Sequence, residues 1–251
     1  MKLGIAIGIA VISLSSSVYA LTGPAAAKHE KDHWSISGNY FYSSHDLDTV
    51  KVKENDGDIY NLTIDDWNMN RYYAQFNYGL NDDLEVYGRL GMFDIKAQYE
   101  VIGNNSFGGV NFDNEIFYGF GLKYTFAKKE TIDWGAAFNL NILNTSVSER
   151  YNSGADVMDV DVDCMEYEFV IGPTIDMGGW DLYGGAICNI LSVDHEHKDT
   201  QGDKGSGDVG TDSFGGYIGA QFNISDNYIM STELKATENG WGIGAGIEIP
   251  F

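Results

Sequence analysis

The sequence predicts an all-β fold: an antiparallel up-and-down transmembrane β-barrel of about ten strands, with short turns at one end and long loops at the other. Three observations predict it. The chain divides into about ten segments of period-two hydrophobicity, each near the roughly 9–11 residues that a tilted strand needs to cross a bilayer. The connections between segments alternate short and long. The aromatic residues gather at the segment ends, in the apolar phase. Composition agrees, with 31 Gly, 16 Tyr and 13 Phe but only 3 Pro.

The first 20 residues fall outside the fold. Lys2 supplies a positive start, Gly4 to Leu14 form a short apolar run, and Val18-Tyr19-Ala20 is a small-residue cleavage pattern. Together these read as a secretory signal peptide over 1–20, because the apolar run is too short to span a bilayer. A second small-residue site, Pro24 to Ala27, leaves the cleavage point open between Ala20 and Ala27. Residues 21–32 are expected to form a short periplasmic N-terminal segment, and 33–251 the barrel.

The predicted strands are His33–Ser43, Asn68–Gly79, Leu84–Ile95, Asn114–Phe126, Asp133–Asn144, Cys164–Asp176, Trp180–Leu191, Ser213–Ile224, Tyr228–Ala236 and Trp241–Phe251. In the fourth, Ile116, Tyr118, Phe120, Leu122, Tyr124 and Phe126 oppose Glu115, Phe117, Gly119, Gly121, Lys123 and Thr125. In the last, Trp241, Ile243, Ala245, Ile247, Ile249 and Phe251 oppose Gly242, Gly244, Gly246 and Glu248. Successive side chains of a strand point to opposite faces, so each segment has one apolar and one mixed face. A soluble sandwich would bury the apolar face, whereas a membrane barrel turns it to lipid.

Connection lengths decide between the two. Leu80–Asp83, Ala127–Ile132, Met177–Gly179 and Ser225–Asn227 are short; His45–Trp67, Lys96–Asp113, Thr145–Asp163 and Val193–Asp212 are long. That rhythm belongs to barrels rather than sandwiches. Trp34, Tyr78, Phe126, Trp134, Trp180, Phe222, Tyr228 and Phe251 fall at the short-turn ends, as an interfacial girdle requires. Tyr42, Tyr118, Tyr167, Phe214 and Trp241 supply a second ring. An eight-stranded barrel remains an alternative count.

The closing Ile247-Glu248-Ile249-Pro250-Phe251 resembles the C-terminal assembly signal of small monomeric bacterial outer-membrane β-barrel proteins, in which alternating apolar residues end in an aromatic. The resemblance covers the signal peptide and essentially the whole mature chain. It implies an outer-membrane location, contact with outer-membrane lipids and lipopolysaccharide, and recognition by the assembly machinery through Trp241, Ile247, Ile249 and Phe251. It also implies a monomer, with short turns in the periplasm and long loops outside.

The inward phase supplies a candidate lumen network: Arg71, Glu85, Arg89, Glu115, Lys123, Glu166, Glu168, Glu233, Lys235 and Glu248. Buried charges must pair or be hydrated. Barrels of about eight strands are filled by side chains and those of 16–18 leave wide channels, so ten strands lie near the filled end. Inward glycines leave room for larger neighbours or for a thin water path.

Formal charge is −22, and loss of Lys2 with the leader makes the mature chain one unit more acidic. Nucleic acid is a poor partner for such a chain. The four long connections, with the short one at Thr237–Gly240 on the same side, hold 21 acidic against 6 basic residues. Asp159, Asp161 and Asp163 share one face of an extended segment, a row that a hard cation would stabilise. This is the one metal candidate, and no other cofactor is expected. Omptin proteases resemble the chain in strand number and use carboxylates with an Asp-x-His pair at the outer rim. Here Asp194, His195, Glu196 and His197 depart from that pattern, since His195 stands two residues before His197. The expected role is therefore a non-enzymatic surface protein whose acidic loops contact cations, lipopolysaccharide or an external ligand. A narrow porin-like channel is the alternative, and an omptin-like protease comes third. Cys164 falls in the inward phase and Cys188 in the outward one, so neither can bridge to the other.

Phe251 ends the apolar phase of the closing strand. Its deletion should leave unfolded protein in the periplasm, detectable as loss of the heat-modifiable band on gel electrophoresis. Wild-type levels of folded barrel would contradict the assignment.

Overall fold

The computed structural model describes the backbone of residues 20–53, 59–102, 106–151, 156–199, 204–225 and 227–251. Side chains are described for 20–44, 68–96, 114–144, 163–192, 212–225 and 227–251.

Ten strands close into one antiparallel barrel: β1 (Trp34–Lys53), β2 (Ile59–Asn81), β3 (Leu84–Ile102), β4 (Ser106–Lys129), β5 (Ile132–Tyr151), β6 (Asp156–Asp176), β7 (Trp180–Asp199), β8 (Lys204–Ser225), β9 (Tyr228–Thr237) and β10 (Gly240–Pro250). Each strand pairs with its sequence neighbours, and β10 returns to β1, in register from Ser35 opposite Pro250 to His45 opposite Gly240. The Phe251 amide donates to the Trp34 carbonyl at 2.8 Å, and the two rings sit 5.1 Å apart. Within the wall, closure therefore leaves neither first nor last strand with an open edge, which lipid would not tolerate.

Alternation sorts the two faces. Tyr72, Phe76, Leu90, Ile116, Phe120, Phe169, Ile218 and Ile247 point outward and are exposed, while Phe41, Tyr73, Tyr87, Phe117, Tyr183 and Tyr217 point inward and are buried. The inward glycines seat these rings. A Cβ on Gly121 would come within 2.4 Å of Tyr87, on Gly219 within 2.3 Å of Tyr183, and on Gly244 within 2.3 Å of Phe41. So the room left by glycine is taken by an aromatic from a neighbouring strand, rather than by a water path at those positions.

The strands outrun the expected bilayer crossings. β1 to β8 are 19 to 24 residues long, about twice what a crossing requires. Most of the stretches expected as long loops are continuations of strand hairpins. Bounding the strands by bilayer thickness hid this, because antiparallel pairing needs only extended backbone and continues into water. The extensions split. β4 and β5 pair only as far as Phe117 opposite Leu143, whereas β3 and β4 continue to Val101 opposite Ser106. On the other side, β8 and β9 stop at Gly215 opposite Thr237. Past the barrel wall, β1–β4 and β5–β8 thus form two separate four-stranded sheets. Asn114, at a left-handed φ of 60°, lies near where β4 parts from β5, and Asp94 Oδ1 accepts its amide at 2.7 Å. Asn is among the few residues that tolerate that conformation.

Cys164 is buried and Cys188 half-buried, and the two are not joined by a disulfide. Cys164 stands opposite Val193 and Cys188 opposite Phe169 in the β6–β7 register.

Candidate functional site

Of the segment 21–32, expected as a short periplasmic N-terminal segment, residues 21–29 run through the short-turn half of the lumen and 30–32 are exposed at its rim. Ala20, Leu21, Thr22, Ala25 and Ala26 are all 6% exposed or less. Two carboxylates grip the backbone of this segment. Glu233 of β9 accepts the amides of Thr22 at 3.0 Å and Gly23 at 2.9 Å, one on each oxygen. Glu85 of β3 accepts the amides of Lys28 at 3.0 Å and His29 at 3.2 Å. Thr125 Oγ1 accepts from the Ala27 amide at 2.9 Å. An irregular segment has no ladder to satisfy its amides, so a buried one must be met by side chains. Hydrogen bonds to charged groups contribute about 1.5–3 kcal/mol each.

The segment's carbonyls are met as well. The Leu21 carbonyl accepts from Tyr73 Oη at 3.1 Å and from Arg89 Nη2 at 2.9 Å. Lys235 Nζ donates to the Ala20 carbonyl at 2.5 Å, to Thr22 Oγ1 at 2.6 Å and to Glu168 at 2.6 Å, with Glu233 3.5 Å away. Glu168 also accepts from Thr22 Oγ1 and from Asn139 Nδ2. Toward the rim, Lys28 pairs with Asp181 at 2.9 Å, and His29 Nε2 lies 2.9 Å from Glu248. The segment leaves the lumen by pairing Asp32 and His33 with Gly79 of β2. The small residues have a packing reason: a Cβ on Gly135 would come within 2.3 Å of the Ala26 backbone.

Of the predicted lumen set, Arg71, Glu85, Arg89, Lys123, Glu166, Glu168, Glu233 and Lys235 are buried inside the barrel. Glu248 faces inward at the rim with a side-chain exposure of 15%. Glu115 is half-buried at the other end and joins none of these contacts. Arg71 Nη1 pairs with Glu166 at 3.1 Å, and its guanidinium lies over the Phe117 ring at 4.9 Å. From Arg71 toward the long hairpins the inward face turns apolar, with Met69, Phe93, Ile95, Phe117, Leu143 and Leu191 all buried. At the opposite mouth a cavity of about 620 Å³ lies between the segment and the β4–β5 turn, lined by Pro24, Lys28, Lys128, Asp133 and Asp181 among others.

Asp163 is exposed on β6, while the side chains of Asp159 and Asp161 lie outside the described residues. So do those of Asp194, His195, Glu196 and His197. Among the described residues, no group of three or more His, Cys, Asp or Glu side chains is arranged to hold a metal ion. In the closing strand, Trp241, Ile247 and Phe251 are exposed and Ile249 half-buried.

Comparison of the closed ten-stranded barrel with solved structures finds bacterial outer-membrane proteins. OmpT, the outer membrane protease of Escherichia coli, aligns over 94% of this chain and 100% of its own, at 10% identity and a TM-score of 0.52. The fold is that of the outer-membrane β-barrels. The β domain of the Bordetella autotransporter BrkA aligns over 88% of this chain and all of its own, at 10% identity and a TM-score of 0.45. Ail, the attachment invasion locus protein of Yersinia pestis, aligns over 88% of this chain and 99% of its own, at 15% identity and a TM-score of 0.35. No family model and no curated protein matches the chain by sequence.

Removing one partner from a buried ion pair leaves the other charge uncompensated, at a cost of about 3–5 kcal/mol. Lys235→Met should lower barrel stability by that order in urea unfolding followed by tryptophan fluorescence. Adding Glu168→Gln to Lys235→Met should recover a large part of the loss. Additive effects of the two substitutions would contradict the coupling.

Proposed function

We propose that this is a non-enzymatic integral protein of the bacterial outer membrane, exported by the signal peptide at 1–20, with a closed lumen and a role carried by its long surface hairpins. The observation that carries this reading is the N-terminal segment gripped by Glu233 and Glu85, backed by the apolar layer around Phe93 and Phe117. Both fill space that a channel would keep open. The short turns and both barrel termini face the periplasm in this reading. The acidic hairpins face outward, where they contact divalent cations, lipopolysaccharide or an external ligand. Like charge on that face would attract cations that also bridge anionic lipopolysaccharide. The protein acts as a monomer and reaches the membrane through the assembly machinery, with Phe251 at the periplasmic rim. The likeness to OmpT is one of fold and carries no activity to this chain.

Planar-bilayer recording tests the closed lumen. The wild-type barrel, refolded in detergent as residues 21–251, should show no steady single-channel conductance. A barrel refolded without residues 21–29 should leak or flicker open. Steady conductance from the wild type would overturn the closed-lumen reading and favour the narrow channel.

A further inference from the structure

The sequence leaves the leader's cleavage point open between Ala20 and Ala27, and the lumen contains the information to decide it. Cleavage after Ala27 would remove the barrel contacts made by Leu21, Thr22, Gly23 and Ala27 and keep those of Lys28 and His29. Glu233 would lose both amides of Thr22 and Gly23. Glu168 and Lys235 would lose Thr22 Oγ1, and Tyr73 and Arg89 would lose the Leu21 carbonyl. These partners are buried, so the carboxylates would remain inside the barrel without the groups that meet them.

The bond at Ala20–Leu21 lies at the other end of this grip. The Ala20 carbonyl is held by Lys235 Nζ, and the next residue but one donates its amide to Glu233. Lys235 is a single ammonium shared by two carboxylates, at 2.6 Å from Glu168 and 3.5 Å from Glu233. We propose that the leader is cut between Ala20 and Leu21, and that the α-ammonium so formed on Leu21 is bound inside the barrel by Glu168 and Glu233 as the second cation of that pair of carboxylates. Hydrolysis adds one water across the amide. The carboxylate stays on Ala20 and departs with the leader, and the amine on Leu21 takes up a proton. A neutral peptide carbonyl is thereby exchanged for a positive charge beside two buried glutamates, an exchange that strengthens the hold on the segment. The mature N-terminus becomes the inner end of the plug, and processing completes the lumen's charge pairing.

The proposal rests on the export reading given above, and its test separates the two. Fractionation shows first whether the protein reaches the outer membrane. Top-down mass spectrometry of the protein extracted from that membrane then gives the first residue. A chain beginning at Leu21 is expected. In the folded barrel its α-amine should react with an amine-directed reagent about 100-fold more slowly, or slower still, than in the urea-unfolded chain. In Glu168→Gln/Glu233→Gln, refolded as 21–251, that protection should fall by at least about tenfold. A mature chain beginning at Lys28 would overturn the cleavage assignment. An α-amine at Leu21 that reacts equally fast in the folded and unfolded chains would overturn its binding in the lumen. Retention of residues 1–20 in the membrane fraction would overturn both while leaving the barrel's location intact.

Discussion

Backbone amides donated into two buried carboxylates, Glu233 and Glu85, are the contact on which the interior of this barrel depends. Closing ten strands seals a narrow lumen and places acidic side chains where bulk water no longer screens them. A carboxylate in that setting is costly unless it accepts several hydrogen bonds. The strands themselves have no spare amides, because the ladder uses them. An irregular segment does, and the chain supplies one in Leu21 to His29. The segment meets the carboxylates and the carboxylates meet the segment, so neither is stable in this place without the other. Lys235, Arg89 and Tyr73 then act on the segment's carbonyls and complete the arrangement.

The other half of the lumen solves the same filling problem with different chemistry. Phe41, Phe93, Phe117 and Met69 occupy it, and the glycines of β10 give Phe41 its space. Arg71 stands at the boundary, one nitrogen on Glu166 and its face on Phe117. In the proposed function, a polar plug below an apolar layer leaves the long hairpins as the part of the molecule that meets other molecules. The pairing of β1–β4 and β5–β8 past the wall, with short β9 and β10 between them, gives those hairpins a divided platform.

Much of the wall was legible in the sequence and little of its contents was. Period-two alternation assigns a face to every residue once the strand is found, so inward Glu166 and outward Tyr167 follow directly from Met165 to Phe169. The alternating segments give a count of about ten strands, and the short–long rhythm of connections tells which strand ends share a side. The hairpin extensions escaped because a bilayer crossing sets the strand length only within the membrane and sets none in water. The plug escaped for a deeper reason. Residues 20–33 have no period, and a run such as Pro24-Ala25-Ala26-Ala27 looks the same in a leader's tail as in a tight lumen. What could have pointed to it is the inward charge itself: Glu168 and Glu233 share the one ammonium of Lys235, and Glu85 has Lys123 only at 3.7 Å. Gly135 of β5 marks the place, since a Cβ there would strike the backbone of Ala25 and Ala26.

Amide hydrogen exchange on residues 21–31 of the folded barrel tests the central claim most directly. The amides of Thr22, Gly23, Lys28 and His29 are held by Glu233 and Glu85, so they should exchange on the slow timescale of the barrel strands. The amide of Lys31, near the exposed rim, should exchange much faster. Exchange of all these amides at the rate of an unstructured peptide would mean that the segment lies outside the barrel, and the closed, gripped lumen would be wrong.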